Sequence, residues 1–424
     1  MRKLFTTLLL FVIPVAFPGL KLLAASPADV SSENEQKLGA AFERLYNLEF
    51  DSAQELFREV VRDEPESATA RTFLASALLY EILARQGSLQ SQLFVMGNKF
   101  LHQGRKPPDP ELKQRFEERI DEARAVAERR RKANKNDPDA LFALGLAYAN
   151  LANYSTGVEG KYFRGLRYGK KAYKYHKKLH ELHPDLYDTG VVLGTHNYVL
   201  GSLPRVMRFF LFFVGARGNR ERGLRHLQEA AESGTFLRTY ARVLLAVAWI
   251  REEKPEEAQR VLEALRSDYP RNPLFLFELA RFYRQQGLYP EAAQVCREML
   301  TRLRTRPLSP RILGPEDALL ELGRVESAAG NPEAALHTLR QIDRVAAAEQ
   351  RIVAWSLIER GRIFDQMGER RMALAEYDKV ILLAADPESI RLAHAYKKKP
   401  YRPEVNSSPK PRTLGLKSGG GGAN

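Results

Sequence analysis

Large and small apolar residues recur along this chain in the same order at a spacing of 34 residues. A large residue, a small residue and an aromatic residue stand at Leu245, Ala246 and Trp249, and an alanine follows at Ala258. The next stretch repeats these classes at Leu279, Ala280, Tyr283 and Ala292. Such offsets predict two antiparallel helices that approach closely at the small residues, with large residues filling the space beside them.

The step of twelve residues between the two small positions locates further units of the same kind. It recurs at Ala41–Ala53, Gly323–Ala335 and Gly361–Ala373. Prolines follow the second small position at Pro65, Pro184 and Pro270. Because proline cannot continue helical hydrogen bonding, each of these prolines predicts the end of a second helix.

This pattern resembles the tetratricopeptide repeat, a helix–turn–helix unit of about 34 residues. Each unit has an apolar face that a neighbouring unit must cover, so the units stack side by side. The resemblance therefore implies an all-α, tetratricopeptide-type superhelical solenoid of about eight helix-turn-helix units with insertions. The sequence offers no sustained alternation of apolar and polar residues that would predict a sheet.

The N-terminus combines a charged start with a short apolar run, Leu4–Phe17, and small residues around Ala24 and Ala25. These features predict a secretory signal peptide that is cleaved after one of the two alanines, with an uncleaved anchor as the alternative. Cys296 is the only cysteine, so no intramolecular disulfide can form. We expect an exported bacterial protein, periplasmic or associated with the cell envelope.

Composition divides the chain into four segments. They are a signal peptide at 1–25, a linker at 26–36, the repeat solenoid at 37–396 and a disordered basic tail at 397–424. Within the solenoid, insertions are expected near 86–111, 149–161 and 199–219. The tail is rich in proline, serine and glycine and has too few apolar residues to fold alone.

The formal net charge of +14 is unevenly distributed, with an excess of basic residues between Lys161 and His226. A basic surface attracts polyanions or anionic lipid headgroups, although a solvated helix face is the plainer interpretation. The candidate anion contacts in the basic face 161–178 are Lys170, Lys171 and Lys174. Nucleic acid is the weaker alternative for this face, because an export signal would separate the protein from chromosomal DNA.

The segment from Tyr187 to Gly234 departs from the repeat. It carries in order Leu-Pro, an apolar run, Val-Gly, Gly-Asn-Arg-Glu and Gly-Leu. Through residues 180–300 the chain is similar to the eukaryotic mitochondrial outer-membrane tetratricopeptide family associated with inclusion-body clearance, and to bacterial exported repeat proteins. This similarity implies an interaction or envelope-associated protein without known chemistry.

The apolar run Phe209–Val214 is too short to span a bilayer. It either packs across the inner groove of the solenoid or contacts a membrane surface, where flanking arginines suit anionic headgroups. The candidate membrane or anion contacts in the insertion 205–217 are Arg205, Arg208, Phe209, Phe210, Phe212, Phe213 and Arg217.

Little in the sequence points to chemistry. His176, His180 and His183 share one side of a helix and could bind zinc or copper, but His176 occupies a core position of its repeat. A phosphate-binding glycine loop, a Gly-x-Ser-x-Gly elbow and a Cys-x-x-Cys pair are all missing from the sequence. We therefore predict no enzymatic activity, no metal and no cofactor.

The repeats predict a non-enzymatic protein–protein interaction scaffold of the cell envelope. Its partner, an unidentified peptide or helix, is expected on the concave face, lined by the first helices of the repeats. Candidate contacts there are Asn150, Arg242, Arg281, Tyr283, Arg284, Arg324 and Arg360. The pattern specifies neither the partner nor the oligomeric state.

Overall fold

The computed structural model describes residues 32–87, 108–213, 217–308 and 312–403, with every side chain in these ranges except those of residues 32 and 210–212. Within these ranges every regular element is helical, which confirms the predicted all-α class. The chain divides into two compact units. Unit 1 comprises Met1–Phe275 with Leu308–Ile312, and unit 2 comprises Leu276–Pro307 with Leu313–Asn424.

The helices of unit 1 are α1 (Ser32–Tyr46), α2 (Phe50–Asp63), α3 (Ala68–Arg85), α4 (Pro110–Ala133), α5 (Pro138–Asn153), α6 (Tyr162–Leu182), α7 (Thr189–Gly201), α8 (Arg205–Phe213), α9 (Arg220–Ser233), α10 (Arg238–Arg251) and α11 (Pro255–Asp268). Helix α12 (Pro273–Gln285) begins in unit 1 and ends in unit 2. The helices of unit 2 are α13 (Tyr289–Thr305), α14 (Pro315–Ala328), α15 (Pro332–Arg340), α16 (Gln350–Gln366), α17 (Arg370–Leu383) and α18 (Pro387–Lys398).

Helix ends follow the sequence signals. Helices α2, α6 and α11 end at Asp63, Leu182 and Asp268, each just before one of the predicted terminating prolines. Helix α5 begins where the side chain of Asp137 accepts a hydrogen bond from the Ala140 N–H, at 2.8 Å. These local signals set the lengths of the helices before any packing takes place.

The small residues of the repeat lie where paired helices touch. A Cβ added to Gly145 on α5 would lie 1.8 Å from Cδ2 of His176 on α6. In unit 2, a Cβ on Gly361 of α16 would lie 2.3 Å from the ring of Tyr377 on α17. The expectation that these positions allow close helix approach is therefore met at both places.

Some expected segment boundaries need correction. Helix α1 begins at Ser32, because its apolar face packs on α2, so part of the predicted linker 26–36 is helical. Within 149–161, α5 continues to Asn153 and a π-helical turn follows at Tyr154–Val158, so most of this insertion is helical. The predicted signal peptide and residues 88–107 of the second expected insertion lie outside the described residues. The basic tail, predicted from 397, needs a later start, because α18 continues to Lys398 and the Tyr401 N–H donates to the Asp365 carboxylate at 2.8 Å. Residues 404–424 lie outside the described residues.

Unit 1 is closed by contacts between residues far apart in the chain. The Asn272 side-chain amide donates to the Tyr46 carbonyl oxygen at 2.6 Å, and Arg271 Nε pairs with Glu49 at 2.8 Å. The rings of Tyr46 and Tyr269 lie 5.2 Å apart. A simple solenoid has contacts between neighbouring repeats only, so this contact between α1 and the start of α12 is an addition to the predicted architecture.

In the middle of unit 1, α7 and α9 pack backbone against backbone. A Cβ on Gly223 would lie 2.3 Å from the Tyr198 nitrogen and 2.7 Å from the Gly194 carbonyl oxygen. Side-chain packing of the usual kind leaves helix axes about 8–10 Å apart, and glycine permits a closer approach. The glycine-rich sequence of this region therefore builds a tight helical hairpin, and α8 lies in the connection between its two helices.

Candidate partner-binding surface

The first helices of three successive repeats in unit 2 carry one short motif, a glutamate followed three residues later by an arginine, with the small packing residue between them. It reads Glu278-Leu-Ala-Arg281 on α12, Glu321-Leu-Gly-Arg324 on α14 and Glu359-Arg-Gly-Arg362 on α16. The small residue faces the second helix of its own repeat. The Glu and Arg that flank it therefore occupy equivalent positions in the three repeats. We call the set the Glu–Arg row; it comprises Glu278, Arg281, Arg284, Glu321, Arg324, Glu359 and Arg362.

Ion pairs connect the row from helix to helix. Arg284 Nε on α12 lies 2.7 Å from Glu321 Oε1 on α14, and Arg324 Nε lies 3.0 Å from Glu359 Oε1 on α16. Within α16, Arg362 pairs with Glu359 at 3.1 Å. Arg362 also donates to the Tyr396 hydroxyl on α18 at 2.9 Å. Each step of the row thus joins the first helices of neighbouring repeats.

Glu278 differs from the other acids of the row. It is fully buried, neither of its carboxylate oxygens accepts a hydrogen bond within the described residues, and its nearest cation, Arg281, lies 3.7 Å away. Burial raises the pKa of Glu278 to about 8, although the charge of Arg281 opposes this shift. At neutral pH Glu278 is therefore mostly uncharged, and the row carries an excess of positive charge.

The arginines of the row combine partial burial with solvent access. The Arg324 side chain is 27% exposed, and its guanidinium lies 5.8 Å from the Trp355 ring centre. Arg281 lies 5.6 Å from the Phe277 ring in a similar way. Aromatic faces and carboxylates hold the guanidinium groups in place, so the N–H groups that still face solvent have fixed directions.

The predicted groove residues separate into two groups. Arg281, Arg284 and Arg324 all belong to the Glu–Arg row. Arg362 and the three glutamates of the row were not predicted, although the Glu-x-small-Arg spacing, which occurs three times in the sequence, indicates them. Arg242 lies in unit 1, where it pairs with Asp268 at 2.6 Å.

Three further predicted contacts are inaccessible, and here the expectation needs correction. Asn150 is fully buried and donates to the Ser76 hydroxyl at 2.7 Å. Arg360 is buried between Asp343 and Glu376, with an N–O distance of 2.9 Å to each. Tyr283 is also buried. Neighbouring helices cover these positions, so they stabilise the repeats from within.

The second predicted surface, on α6 and α8, lies in unit 1. Arg205, Arg208, Phe209, Phe213 and Arg217 are exposed, whereas the side chains of Phe210 and Phe212 lie outside the described residues. Lys171 and Lys174 are exposed and Lys170 is partly exposed on α6. The Lys171 ammonium lies 4.7 Å from the Tyr148 ring centre.

The histidines on α6 occupy separate environments. His176 stacks on Phe142 with ring centres 5.3 Å apart, and burial lowers its pKa to about 4. His180 instead contacts Thr189 at 3.2 Å. Within the described ranges no three His, Cys, Asp or Glu residues are grouped closely enough to hold a metal ion. Nor does any helix described there have the length and apolar character needed to cross a membrane.

Comparison with known proteins identifies the repeat. The tetratricopeptide repeat family matches residues 38–90 and 243–310. These two ranges are therefore tetratricopeptide repeats. The second matched range contains the two stretches that repeat at a spacing of 34 residues, and the helix pairs of both units have the antiparallel form that the family implies.

Solved structures of repeat proteins are similar to this chain at low identity. The Cut9–Hcn1 assembly of the APC/C matches 87% of this repeat protein at 10% identity and a TM-score of 0.44, and the chain spans 57% of the length of that structure. Human IFIT1 with PPP-AAAA matches 89% of this chain at 15% identity and a TM-score of 0.38, and the match covers 88% of IFIT1. Yeast Tom70 matches 87% of this chain at 12% identity and a TM-score of 0.37, and the match covers 90% of Tom70. Similarity at this level carries no information on ligands.

Proposed function

We propose that this repeat protein is a non-enzymatic scaffold that binds a partner polypeptide along the Glu–Arg row. The observation that carries the proposal is the continuity of the row over the first helices of three successive repeats, with Arg281, Arg284 and Arg324 partly open to solvent. Stacked repeats form extended concave surfaces that bind peptides or helices. A row that advances by one repeat at a time suits an extended partner.

Charge indicates which partner would fit. The row contains four arginines and three glutamates, and the pKa of Glu278, about 8, leaves that residue mostly neutral at pH 7. An acidic side chain or a C-terminal carboxylate of the partner would therefore be attracted to Arg281, whose own contact with Glu278 is long at 3.7 Å. Arginine can bind a carboxylate through two parallel N–H···O bonds.

The proposed place of action is the bacterial cell envelope. This proposal is supported by the charged and apolar N-terminal pattern and by the single cysteine, Cys296, which is buried. Mass spectrometry of the protein recovered from the periplasmic fraction should find an N-terminus at Ala25 or Ser26. Recovery of the protein with an intact leader in the cytoplasmic fraction would contradict it. The similarity to the inclusion-body-clearance family stays a prediction.

Site-specific photo-crosslinking tests the binding surface. A photo-reactive residue replaces Gln285, an exposed residue one turn after Arg281 on α12, or as a matched control Gln294, an exposed glutamine on the second helix α13. In intact cells the full chain with the probe at position 285 should form an adduct of one discrete mass, whereas the probe at position 294 should not.

A second variant keeps the crosslinking test specific for the row. With the probe at position 285, Arg284→Gln should weaken the adduct several-fold, since it removes one positively charged group of the row. Arg371→Gln on α17 removes an exposed positive charge elsewhere in unit 2 and should leave the adduct unchanged. Equal adducts from positions 285 and 294, or equal loss with both glutamine variants, would place the partner elsewhere.

A further inference from the structure

Helix α8 exposes apolar side chains that a soluble helix would normally bury. Val206, Phe209 and Phe213 are 69%, 61% and 69% exposed, whereas Phe42 and Phe57 in the same unit are fully buried. Spacings of three and four residues place the three exposed side chains on one side of the helix. The rings of Phe209 and Phe213 contact each other edge to face, 5.0 Å apart. This side of α8 forms an apolar ridge.

The opposite side of α8 attaches the helix to the glycine-packed hairpin. Met207 packs against Leu200 and Leu203, which are both buried. Since the α7–α9 contact is made by backbone atoms at Gly194 and Gly223, the base of α8 has little freedom to shift. The ridge is therefore held outward on a rigid support.

Positive charge surrounds the ridge. Arg205 and Arg208 are exposed on α8 itself, and Arg217 is exposed just beyond it. No aspartate or glutamate occurs in the sequence from Thr189 to Arg220. A protein surface usually carries both acidic and basic groups, and a site for it would be expected to carry both as well. Helix α8 instead combines phenyl rings with arginines, and this combination suits a surface of anionic lipids.

The basic face of α6 joins this surface through His196. The His196 imidazole hydrogen-bonds with the main chain of Arg217. Burial, together with the charge of Lys170 on α6, lowers the pKa of His196 to about 4. The ring of Tyr173 on α6 stacks on His196 with ring centres 4.2 Å apart. Lys170 and Arg217 therefore lie close to the same buried imidazole.

A second exposed phenyl group lies on α6. Phe163 is 87% exposed, and helical spacing places Arg167, Lys170 and Lys174 on the same side of the helix. The combination seen on α8, an apolar side chain next to several cations, thus occurs twice on this surface.

We propose that unit 1 docks on anionic phospholipid membranes through the ridge of α8, with Phe209 and Phe213 entering the interface and Arg205, Arg208 and Lys170 contacting headgroup phosphates. Nine residues of helix cannot span a bilayer, but an amphipathic helix of this composition binds in the interface plane. The proposed contact uses residues of unit 1 only, whereas the Glu–Arg row belongs to unit 2, so each proposal can fail without the other.

Vesicle flotation of the purified full chain provides the test. Vesicles of phosphatidylethanolamine with phosphatidylglycerol should bind the protein at low salt, and vesicles of phosphatidylcholine alone should not. Raising the salt to about 0.5 M should release it, because this shortens the range of the electrostatic attraction. Arg205→Gln with Arg208→Gln should weaken binding by roughly 10- to 30-fold, at about fivefold for each basic residue.

Matched variants separate the ridge from general charge and hydrophobicity. Phe209→Ser with Phe213→Ser should abolish flotation, whereas Leu382→Ser, which removes an exposed leucine from α17 in unit 2, should not change it. Arg340→Gln with Arg371→Gln changes the net charge equally, and both arginines are exposed residues of unit 2. That control should float like the unchanged protein.

A fluorescent probe then reports insertion directly. Cys296 is buried, so an environment-sensitive dye attached through Phe209→Cys labels one site. Emission should shift to the blue on anionic vesicles for the Phe209 site and stay constant for a dye at Leu382→Cys.

Three results would overturn the proposal. They are flotation that survives the Phe209 and Phe213 double substitution, a dimer in solution that the same substitution dissociates, and single-stranded oligonucleotide binding that outcompetes the vesicles through the same residues. The second result would make the ridge a contact between two copies, and the third would make the surface a nucleic-acid site.

Discussion

Arg324 on α14 places its Nε 3.0 Å from Oε1 of Glu359 on α16, while its Nη1 lies 3.7 Å from Glu321 on its own helix. One guanidinium therefore connects the first helices of two repeats. Both side chains are partly buried, where an ion pair is screened less than at the surface. The pair fixes the stacking register of two repeats at the surface proposed to bind a partner.

A double-mutant cycle should measure this connection. Arg324→Gln and Glu359→Gln, alone and combined, should give a coupling free energy of unfolding within about 0.5–3 kcal/mol, as partly buried partners do. The exposed pair Arg391–Glu388 in the same unit, 2.7 Å apart, should give about 0.5 kcal/mol or less. Urea denaturation at low and high salt provides the measurement. Equal coupling free energies for the two pairs would show that the ion pair of the row stabilises the fold no more than the exposed pair does.

The protonation of Glu278 should make stability depend on pH. Burial raises its pKa from 4.5 to about 8. Between these values the folded chain holds a proton that the unfolded chain has released, so stability falls as pH rises through this window. Relative to the unchanged protein, Glu278→Gln should therefore gain stability from pH 5 to pH 9, by at most about 1.4 kcal/mol per pH unit.

The fluorescence of Trp355 can follow the Glu278 effect within unit 2. The chain has two tryptophans, and Trp249→Phe leaves Trp355 as the only reporter. Glu333→Gln, an exposed acid on α15, is the control and should shift stability by about the same small amount at every pH. A difference between Glu278→Gln and the parent that stays constant with pH would show that Glu278 is ionised in the folded state.

Local sequence signals accounted for the helices and for the places where helices touch. The prolines at 65, 184 and 270 ended helices, and Gly145 and Gly361 lie against the second helix of their repeats. These features depend on a few neighbouring residues and on the repeat period, which the sequence displays directly.

The polar network was only partly predictable, because it depends on how repeats stack. Asn150 and Arg360 lie on polar positions of first helices, yet adjacent helices cover both. The contact between Asn272 and Tyr46 joins residues that are distant in the chain, and no period indicates it. The Glu–Arg row was not predicted for another reason: its motif recurs at spacings longer than the 34 residues of the apolar pattern, because the connections between the repeats of unit 2 vary in length.

The hairpin of α7 and α9 should not tolerate a methyl group at Gly223. Its added Cβ would meet backbone atoms of α7 at 2.3 and 2.7 Å, and backbone cannot move aside as a flexible side chain can. Gly223→Ala should destabilise unit 1 by about 1–3 kcal/mol. Gly169→Ala on α6 meets no atom within 4 Å and should instead stabilise by about 0.5–1 kcal/mol. Thermal unfolding followed by Trp249 fluorescence in a Trp355→Phe background compares them; equal effects would mean that α7 and α9 are not in close contact.

The closure of unit 1 depends on Asn272, which has two roles that substitution can separate. Its Oδ1 accepts from the Leu274 N–H at 2.8 Å and caps α12, while its Nδ2 donates to the Tyr46 carbonyl at 2.6 Å. Asn272→Asp keeps the capping oxygen and loses the donor, whereas Asn272→Ala loses both. Because an unpaired buried carbonyl costs about 1–3 kcal/mol, amide exchange in α1 should accelerate by roughly 5- to 100-fold in both variants. Protection in the first turn of α12 should fall only in Asn272→Ala. Hydrogen-exchange mass spectrometry resolves the two segments, and unchanged exchange of α1 in Asn272→Asp would mean that the Tyr46 bond does not hold the unit closed.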